Sequence, residues 1–581
     1  MKDKNKTYSF MGNVAIILFA QIMVKVLGLV YRMVITNIDG FGNTGNGFYN
    51  AGFQVYTVLL AISSVGIPNA IAKMVSERVA LDDYRSAHKV FTSALKLFSV
   101  IGLLCAMILY IGSDFIATYI MNMEGSQYVM RALAPSLFFV CISSVIRGYF
   151  QGLSDMRATS FSQMLEQIFK SGLTIIFVLL TVGVMPYTMQ ILTRITLLYS
   201  PDGTTPPEIM AAWANIASSA ATVISFLYLF IFYLRHKSII KERISSSKTT
   251  NDVSSRKLMK MILMLSIPIS LASIITSINR VVDLATITRG IEIAFQTSIP
   301  SIAGSSVINN PTAQELNHAA VTLSGMLSKS DTLFNMPLAL NIAFATVLVP
   351  SISGALAQGN TQEASDKTAY SILISILIIL PCAIGYMVLA QPIYKIIYPA
   401  TPDGADLLAI MSVALVFSAL TQTITGALQG IGKVYVSAVA IFVGCVFKVI
   451  LNVTLIRIPS INIYGAAISS IVCQFVAFLI NFLVLIRQIP VKLTIRKYIT
   501  KPLVSSGAMG IVAVFVYLGM SAVLGNGYIQ NLIATLVAIG IGAVVYFILI
   551  FTLHIMNKDD IIMLPAGARI YRLLTKLKIY K

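Results

Sequence analysis

The chain has 581 residues, of which 57% are hydrophobic and only 11% are charged. A soluble globular protein carries about a quarter charged residues, so this composition excludes a soluble multidomain enzyme. The high apolar content also excludes a disordered chain. The formal net charge is +19, and in a chain this apolar its meaning depends on where the basic residues lie.

Apolar stretches of about 20 residues, each able to cross the ~30 Å hydrocarbon core of a bilayer, recur along the whole sequence. They predict an all-α polytopic membrane protein, because helices satisfy their own backbone polar groups in lipid. In chain order, the fourteen predicted transmembrane helices are residues 11–37, 47–77, 89–112, 127–150, 159–184, 209–234, 261–288, 319–352, 368–390, 405–430, 434–457, 463–486, 500–523 and 528–553.

Most of the 42 Lys and Arg residues fall in connections that share one side of the membrane when these helices are threaded in order. Such a bias marks the cytoplasmic side, so both termini are predicted to be cytoplasmic. The basic segments 235–260, 487–501 and 554–581 are therefore topology signals and contacts for anionic lipids. Binding of nucleic acid is not expected.

The sequence contains an internal duplication. Arg147–Leu153 (RGYFQGL) matches Thr425–Ile431 (TGALQGI) at an offset of 278, and the same offset places Lys170 on Lys448. Six predicted helices separate equivalent positions, and an even number preserves orientation, so the halves are parallel repeats.

The duplication predicts three regions. Residues 1–258 form an N-lobe of helices 1–6 with a basic cytoplasmic loop, and residues 259–488 form a C-lobe of helices 7–12. Residues 489–581 add helices 13 and 14 and a basic cytoplasmic tail. Two-lobed membrane proteins of this kind bind substrate between the lobes and transport it by rocking one lobe against the other. The sequence thus predicts a transporter.

Ionisable side chains inside membrane helices are costly unless they face a cavity or a partner, so each is a functional candidate. The deep ones are Lys25, Arg32, Glu166, Lys170, Arg280, Asp283, Lys329, Asp331 and Lys448. Basic residues outnumber acidic ones, and a cavity with surplus positive charge attracts anions. Since Arg and Lys also suit phosphate, the predicted cargo is anionic and phosphate-bearing.

Four of these residues are predicted to contact substrate. Lys25 and Arg32 lie seven residues apart on one face of helix 1, which has no acidic residue. Lys448 has no carboxylate within one helical turn. Two hypotheses remain for Arg280: it pairs with Asp283 on its own helix, or it faces substrate while Asp283 orients it.

The remaining deep charges are predicted to be supporting partners. Glu166 and Lys170, at positions i and i+4, favour a structural ion pair, and Lys329 and Asp331 belong to the same supporting group. Side chains nearer the helix ends are predicted to reach the membrane interface: Lys73, Lys96, Arg131 and Arg147.

Enzyme chemistry finds little support in the sequence. The four histidines show no metal-binding spacing, the five cysteines lie in apolar spans without a Cys-x-x-Cys pair, and no Walker loop is present. No catalytic residue, metal or cofactor is expected, and the energy for transport is predicted to come from the membrane potential or an ion gradient.

Three segments carry a resemblance to a known family. They are GIPNAIAKMVSE at 66–77, RGYFQGLSDMRATSFSQMLEQIFK at 147–170, and DTLFNMPLALNIAFATVLVPSIS from Asp331. The sequence resembles the SpoVB/MurJ-like group, in the polysaccharide-transporter branch of the multidrug/oligosaccharidyl-lipid/polysaccharide (MOP) exporter superfamily.

The resemblance implies a V-shaped, 14-helix flippase in the bacterial plasma membrane. The implied cargo is a lipid-linked cell-wall precursor, in the first place lipid II, an undecaprenyl pyrophosphate that bears a disaccharide-pentapeptide. Cell-wall synthesis proteins are possible partners. Three other readings remain: another undecaprenyl-pyrophosphate-linked glycan, a cation-coupled drug exporter, and a membrane scaffold.

Departures from the MurJ pattern point to the SpoVB type. Tyr31 stands where the Gram-negative MurJ type has its second helix 1 arginine, and Arg32 occupies the neighbouring position. Asn46 and Thr332 replace an acidic residue and an arginine of the MurJ type. The external segment 289–318 is also long, which predicts either a cap over the outer mouth of the cavity or disorder.

Overall fold

In a computed structural model of the chain, the structure describes residues 23–64, 66–153, 155–182, 205–245, 247, 254–302, 306–491, 493–525, 527–562 and 567–576. These residues are almost entirely helical. In chain order the elements are α1 (helical over 23–36), α2 (Gly42–Ser64), α3 (Gly66–Val79), α4 (Tyr84–Phe115), π1 (Ile116–Met121), α5 (Ser126–Gly152), α6 (Arg157–Thr181), α7 (Pro207–Ser245), α8 (Ser255–Ala294), β1 (Ser298–Ile299), β2 (Ile308–Asn309), α9 (Ala313–Ala357), α10 (Thr361–Ile397), α11 (Ala405–Gly430), α12 (Val434–Leu455), α13 (Ile463–Gln488), π2 (Arg496–Thr500), α14 (Lys501–Leu524), α15 (Tyr528–Thr552), α16 (Lys558–Ile562) and α17 (Gly567–Lys576).

Within the described ranges, 11 helical spans are long and apolar enough to cross a membrane. The chain is therefore a multi-pass membrane protein, as its composition predicts. Every predicted helix from residue 47 onward overlaps an observed one, and α11 has the predicted bounds, 405–430. Residues 11–22 of the first predicted helix lie outside the described residues. The number fourteen stays a prediction.

Short polar side chains mark where several helices begin. The Asp83 carboxylate accepts a hydrogen bond from the Ser86 backbone N–H and caps α4. At α9, the Thr312 hydroxyl accepts from the Glu315 N–H at 3.3 Å, and the Glu315 carboxylate accepts from the Thr312 N–H at 2.8 Å. This reciprocal capping box starts α9 at residue 313, six residues before the predicted start at 319.

The chain divides into two compact units. Unit 1 comprises residues up to Ser328 together with Asn452–Ile463, and unit 2 comprises Lys329–Leu451 together with the residues from Tyr464 onward. In unit 1, α5 packs against α2, α3, α4 and α7; in unit 2, α10 packs against α11, α14 and α15. The predicted lobes 1–258 and 259–488, and the third region 489–581, stay a prediction.

Two of the segments that carry the family resemblance pack against each other in unit 1. A Cβ atom on Gly148 would lie 2.8 Å from the Pro68 carbonyl oxygen, and one on Gly152 would lie 2.6 Å from the Val75 Cβ. Since real Cβ atoms do not approach this closely, both glycines are required for α5 to lie against α3. The GIPNAIAKMV and RGYFQG motifs thus form one interface.

The first turn of α2 also meets the third and fourth turns of α9 in unit 1 at backbone contact. A Cβ atom on Gly325 would lie 1.8 Å from the Asn43 carbonyl oxygen. The hydroxyls of Thr44 and Thr322 hydrogen-bond at 2.9 Å, and the Asn46 amide donates to the Gly325 carbonyl at 3.0 Å. The contact joins residues 278 positions apart in sequence.

The middle of unit 2 holds a neutral network of polar side chains. The Asn341 amide donates to the Ala419 carbonyl at 2.9 Å and contacts the Thr423 hydroxyl at 3.3 Å. Thr423 in turn hydrogen-bonds to the Ser375 hydroxyl at 2.6 Å. All three side chains are buried. The Asn341 NH2 group and the two hydroxyls are hydrogen-bonded within the helix bundle, while the Asn341 amide oxygen has no partner among the described residues.

The described part of the segment 289–318 is folded at both ends. Helix α8 continues to Ala294, and β1 pairs antiparallel with β2 in a short hairpin. The Asn122 amide, just beyond π1, donates to the Glu292 carboxylate, and the Asn317 amide donates to the Asn122 carbonyl at 2.7 Å. The expectation of disorder is not met in these residues; the role as a cap stays a prediction.

Candidate functional site

Arg32 lies in a cluster of aromatic and amide side chains at the junction of α1 and α2. Its guanidinium carbon is 4.2 Å from the centroid of the Tyr49 ring, a cation–π contact. The guanidinium also donates a hydrogen bond to the Asn46 amide oxygen. The Tyr31 and Tyr49 hydroxyls are 3.1 Å apart. Asn46, a departure from the MurJ pattern, therefore orients Arg32 without neutralising its charge.

An aromatic stripe on α2 extends from this cluster. The rings of Tyr49, Phe53 and Tyr56 follow one another with centroid separations of 6.1 and 5.7 Å. The Lys170 ammonium lies 4.9 Å from the Phe53 centroid and 5.7 Å from that of Tyr31. This stripe was not predicted from the sequence, although aromatics at i, i+4 and i+7 are a readable signal of one helix face.

Arg147 does not extend to the membrane interface, contrary to prediction. Its guanidinium donates to the Glu166 carboxylate at 2.9 Å and to the Ser162 and Ser225 hydroxyls at 2.9 and 3.0 Å, and its side chain is only 12% exposed. The predicted pair of Glu166 with Lys170 is wrong for the same reason. The Glu166 carboxylate pairs with Arg147 of the neighbouring helix α5 instead of Lys170, because a planar guanidinium can donate two parallel hydrogen bonds to a carboxylate and an ammonium cannot.

These charges line a cavity of about 270 Å³ inside unit 1. Helices α2, α5, α6 and α7 supply most of its wall. Arg147, Glu166 and Lys170 are its charged lining residues, and hydroxyl and amide side chains make up much of the remainder. The cavity therefore carries one net positive charge.

The turn before α6 has a structural role. The Asp155 carboxylate accepts three hydrogen bonds of 3.0 Å from Arg157, one from its backbone N–H and two from its guanidinium. Although burial alone would raise it, these bonds hold the pKa of the Asp155 carboxyl below its usual value. The SDMRATS part of the family motif thus fixes the start of α6, which carries Glu166 and Lys170.

Lys25 and Arg280, both predicted to contact substrate, come close enough in unit 1 for their charges to act on each other. Both side chains are exposed, and in the described part of the chain neither forms an ion pair. Asp283 does not neutralise Arg280; its carboxylate accepts a hydrogen bond from the Asn452 amide at 2.6 Å. Of the two predicted alternatives for Arg280, the own-helix pair is therefore not the one formed.

The other predicted residues lie in unit 2. Lys329 is only 1% exposed, and its ammonium donates to the Thr401 carbonyl at 2.6 Å. The same ammonium lies 5.4 and 5.1 Å from the Tyr394 and Tyr398 ring centroids. This ammonium holds the loop between α10 and α11, a supporting role that its sequence position did not specify. Asp331 and Lys448 are half-buried, on α9 and α12.

The arrangement thus presents cations that carboxylates leave uncompensated. In unit 1 the charge of Arg32 also acts on Lys170. Two like-charged pairs are therefore present, Arg32 with Lys170 and Lys25 with Arg280, and within each pair the two cations lie close to each other. Among the described residues, no group of three His, Cys, Asp or Glu side chains is arranged to hold a metal. Chemically, such a surface binds and neutralises an anion.

Comparison with known proteins gives consistent matches. The family model described as "Polysaccharide biosynthesis protein" matches residues 10–356, and the MatE model matches residues 319–454. The Bacillus subtilis (strain 168) protein "Lipid II flippase MurJ" is 24% identical, over 92% of this chain and 93% of its own length. "Stage V sporulation protein B" of the same organism is 22% identical, over 97% of this chain and 99% of its own length.

Solved structures show the same architecture. The lipid II flippase MurJ in its inward closed conformation aligns with a TM-score of 0.62 at 15% identity, over 91% of this chain and 97% of that one. An inward-facing multidrug resistance MATE family transporter of the MOP superfamily aligns with a TM-score of 0.59 at 16% identity, over 82% and 98%.

The helical architecture defines a multi-pass membrane protein with the fold of the MOP transporters. The predicted all-α polytopic fold class is confirmed at that level, while the two parallel-repeat lobes stay a prediction. The chain belongs to the polysaccharide biosynthesis protein family, whose model matches more than half of its length.

Proposed function

We propose that this chain is a flippase that moves a lipid-linked, pyrophosphate-bearing cell-wall precursor, in the first place lipid II, from the inner to the outer leaflet by alternating access. Membership in the polysaccharide biosynthesis family and the likeness to a lipid II flippase and to a sporulation protein over almost the whole chain support this proposal.

One observation carries the proposal: Lys25 and Arg280 lie close enough for their positive charges to act on each other, and neither forms an ion pair with a carboxylate among the described residues. Two exposed cations in such proximity are stabilised by a ligand with at least two negative charges. A pyrophosphate meets this need, because guanidinium and ammonium groups bind its oxygens by charge-assisted hydrogen bonds. Arg32, Arg280, Lys25 and Lys448 are the proposed substrate contacts, and Asp283 is a supporting residue.

A second candidate is a flippase for another undecaprenyl-pyrophosphate-linked glycan. The match to a family described by polysaccharide biosynthesis favours it, and the cationic residues would serve it equally because the pyrophosphate is shared. A drug exporter is disfavoured, since organic cations would be repelled by Lys25, Arg32 and Arg280.

The proposed location is the bacterial plasma membrane, with both termini in the cytoplasm. Helix α17 supports contact with anionic lipids: Leu574 packs into the core of unit 2, while Arg572 and Lys576 are exposed. Cell-wall synthesis proteins are proposed partners, and the membrane potential or an ion gradient is the proposed source of energy.

The identity of the cargo is tested by depleting the protein and analysing the accumulated lipid-linked intermediates by mass spectrometry. Accumulation of lipid II supports the first proposal. Accumulation of a different undecaprenyl-pyrophosphate glycan supports the second candidate, and an unchanged lipid pool contradicts both.

The cationic contacts are tested by complementation of the depleted strain. Lys25→Ala and Arg32→Ala are each expected to abolish growth at near-normal membrane abundance, because each removes a cation that faces the pyrophosphate. Lys73→Ala, which removes an exposed lysine on α3, is the matched control and is expected to grow normally. Normal growth with both Lys25 and Arg32 replaced would remove the anion-binding hypothesis.

A further inference from the structure

We propose that the cavity inside unit 1 is a separate binding site for a small monovalent anion, with chloride as the probe. This site goes beyond the proposed flippase activity, because it is lined mainly by helices α2, α5, α6 and α7 of a single unit. The site is centred on Lys170, which is not one of the four proposed cargo contacts.

The charge balance of the cavity wall is the first argument. The Arg147 guanidinium and the Glu166 carboxylate neutralise each other at 2.9 Å. Lys170 has no carboxylate within ion-pairing distance among the described residues, and the nearby charge of Arg32 adds to the positive potential. An uncompensated ammonium at membrane depth is stable only where water or an anion reaches it.

The size and polarity of the cavity are the second argument. A volume of about 270 Å³ holds roughly nine water molecules at ~30 Å³ each, enough for a partly hydrated halide. The Gln163 amide and the Ser144 hydroxyl line the cavity and make no hydrogen bond to the described residues. Both groups can donate a hydrogen bond to an anion or to a water molecule bound to it.

The net charge selects the class of ligand. With one surplus positive charge in the wall, a monovalent anion brings the site to neutrality, whereas a divalent one would leave an excess negative charge in a low-dielectric interior. The ammonium contacts the rings of Phe53 and Tyr31, and Lys170 also lines the cavity, where an anion can reach it. A bulky cargo headgroup does not fit the volume.

The test uses the purified full-length protein in phosphatidylcholine nanodiscs, whose lipids carry no net charge. Chloride replaces gluconate at constant ionic strength while the Tm is measured. We expect a saturable rise of about 3 °C, because a ligand bound to the folded state alone stabilises it. Lys170→Gln should abolish the rise, and Lys170→Arg should retain it.

Two variants serve as controls. Lys96→Gln, which removes an exposed lysine of α4 in the same unit, should respond to chloride as the wild type does. Arg32→Gln should also keep most of the response, which separates this site from the proposed cargo contacts. If Lys170→Gln does not fold, Ser144→Val, which narrows the cavity, should weaken the apparent chloride affinity at least tenfold.

Crystals grown in bromide provide an independent measurement. An anomalous peak beside the Lys170 ammonium is expected. The proposal is overturned by an absent chloride response, which would mean a cavity that holds water only, by an unchanged response in Lys170→Gln, or by a response lost in Arg32→Gln but kept in Lys170→Gln.

Discussion

Positions 147 and 166 of unit 1 correspond, by the repeat offset of 278, to positions 425 and 444 of unit 2. In unit 1 these positions hold Arg147 and Glu166, which form an ion pair beside a cavity. In unit 2 they hold Thr425 and Gly444, and the neighbouring network is built from neutral amides and hydroxyls. At these equivalent positions the two units therefore differ: unit 1 holds a charged pair and unit 2 a neutral network.

The helix packing in unit 2 explains why the ion pair has no counterpart there. A Cβ atom on Gly444 would lie 2.5 Å from the Cys473 carbonyl oxygen. Any side chain at this position, and a glutamate above all, would force α12 away from α13. Without a carboxylate at 444, an arginine at 425 would be uncompensated, so a neutral residue is the stable choice.

At these two positions, charge is present where the helices leave space. Where α5 and α6 border a cavity, Arg147 and Glu166 form an ion pair. Where α12 comes to backbone contact with α13, only glycine fits at position 444. Lys170 and Lys448, the one pair of deep cations retained in both halves, therefore lie in different surroundings.

The largest expected effect comes from breaking the charged pair. Glu166→Gln leaves the Arg147 guanidinium without a counter-charge at low exposure, which should lower the free energy of unfolding by about 3 kcal/mol. Reversible unfolding in mixed detergent micelles measures it. The double variant Arg147→Gln with Glu166→Gln should be more stable than Glu166→Gln alone; a double variant as unstable as the sum of both singles would contradict the pairing.

The next effect concerns close packing in the neutral half. Gly444→Ala should destabilise the protein by about 2 kcal/mol, because its new methyl group overlaps the Cys473 carbonyl. Gly519→Ala on α14 is the matched control, since a Cβ atom there meets nothing within 4 Å. Equal stability of the two alanine variants would show that space does not restrict position 444.

A smaller effect is expected within the neutral network itself. Ser375→Ala removes the hydroxyl that bonds Thr423 at 2.6 Å and should cost about 1 kcal/mol, the usual value for one neutral hydrogen bond. Thermal unfolding in the same nanodiscs measures the change. If Ser375→Ala lowers the free energy of unfolding as much as Glu166→Gln does, the neutral network contributes as much to stability as the ion pair, which contradicts the comparison.

The smallest effect is expected at an exposed ion pair of unit 1. Arg131 and Asp114 are 2.5 Å apart, but their side chains are 37% and 61% exposed. Asp114→Asn should change stability by no more than about 0.5 kcal/mol, because water screens exposed pairs. This variant is the control for Glu166→Gln, because both change one carboxylate of an ion pair to an amide. An equal loss of stability in the two variants would show that burial of the ion pair does not determine its contribution.

Much of the fold is readable from hydropathy. Apolar windows placed α11 at its observed bounds and most of the other long helices within about seven residues, because the bilayer requires long apolar segments whatever their packing. Helix α7 runs to Ser245, beyond the predicted end at 234, and the short helices α16 and α17 were not predicted. The repeat was also readable, since it rests on identities such as the shared Gln-Gly of RGYFQG and TGALQG. The start of α9 was predicted six residues too late, at 319, because its first turns are polar and hydropathy does not detect the Thr312–Glu315 capping box.

Side-chain partners were much less predictable. The spacing of Glu166 and Lys170 on one helix favoured a local pair, yet Arg147 on α5 is the partner. Asp283 likewise bonds Asn452, which is 169 residues away in sequence. Spacing along one helix gives no information about a neighbouring helix, so tertiary partners of deep charges cannot be ranked without the packing. The roles of Lys25, Arg32, Arg280 and Lys448 toward cargo stay predictions.

The contact between Thr44 and Thr322 restricts which side chains can occupy these two positions. The hydroxyls hydrogen-bond at 2.9 Å where α2 and α9 lie at backbone contact. A hydroxyl both donates and accepts a hydrogen bond, so each threonine can serve as donor or acceptor for the other, whereas two carboxylates or two ammonium groups would repel each other. A change at one position therefore alters what the other position can hold.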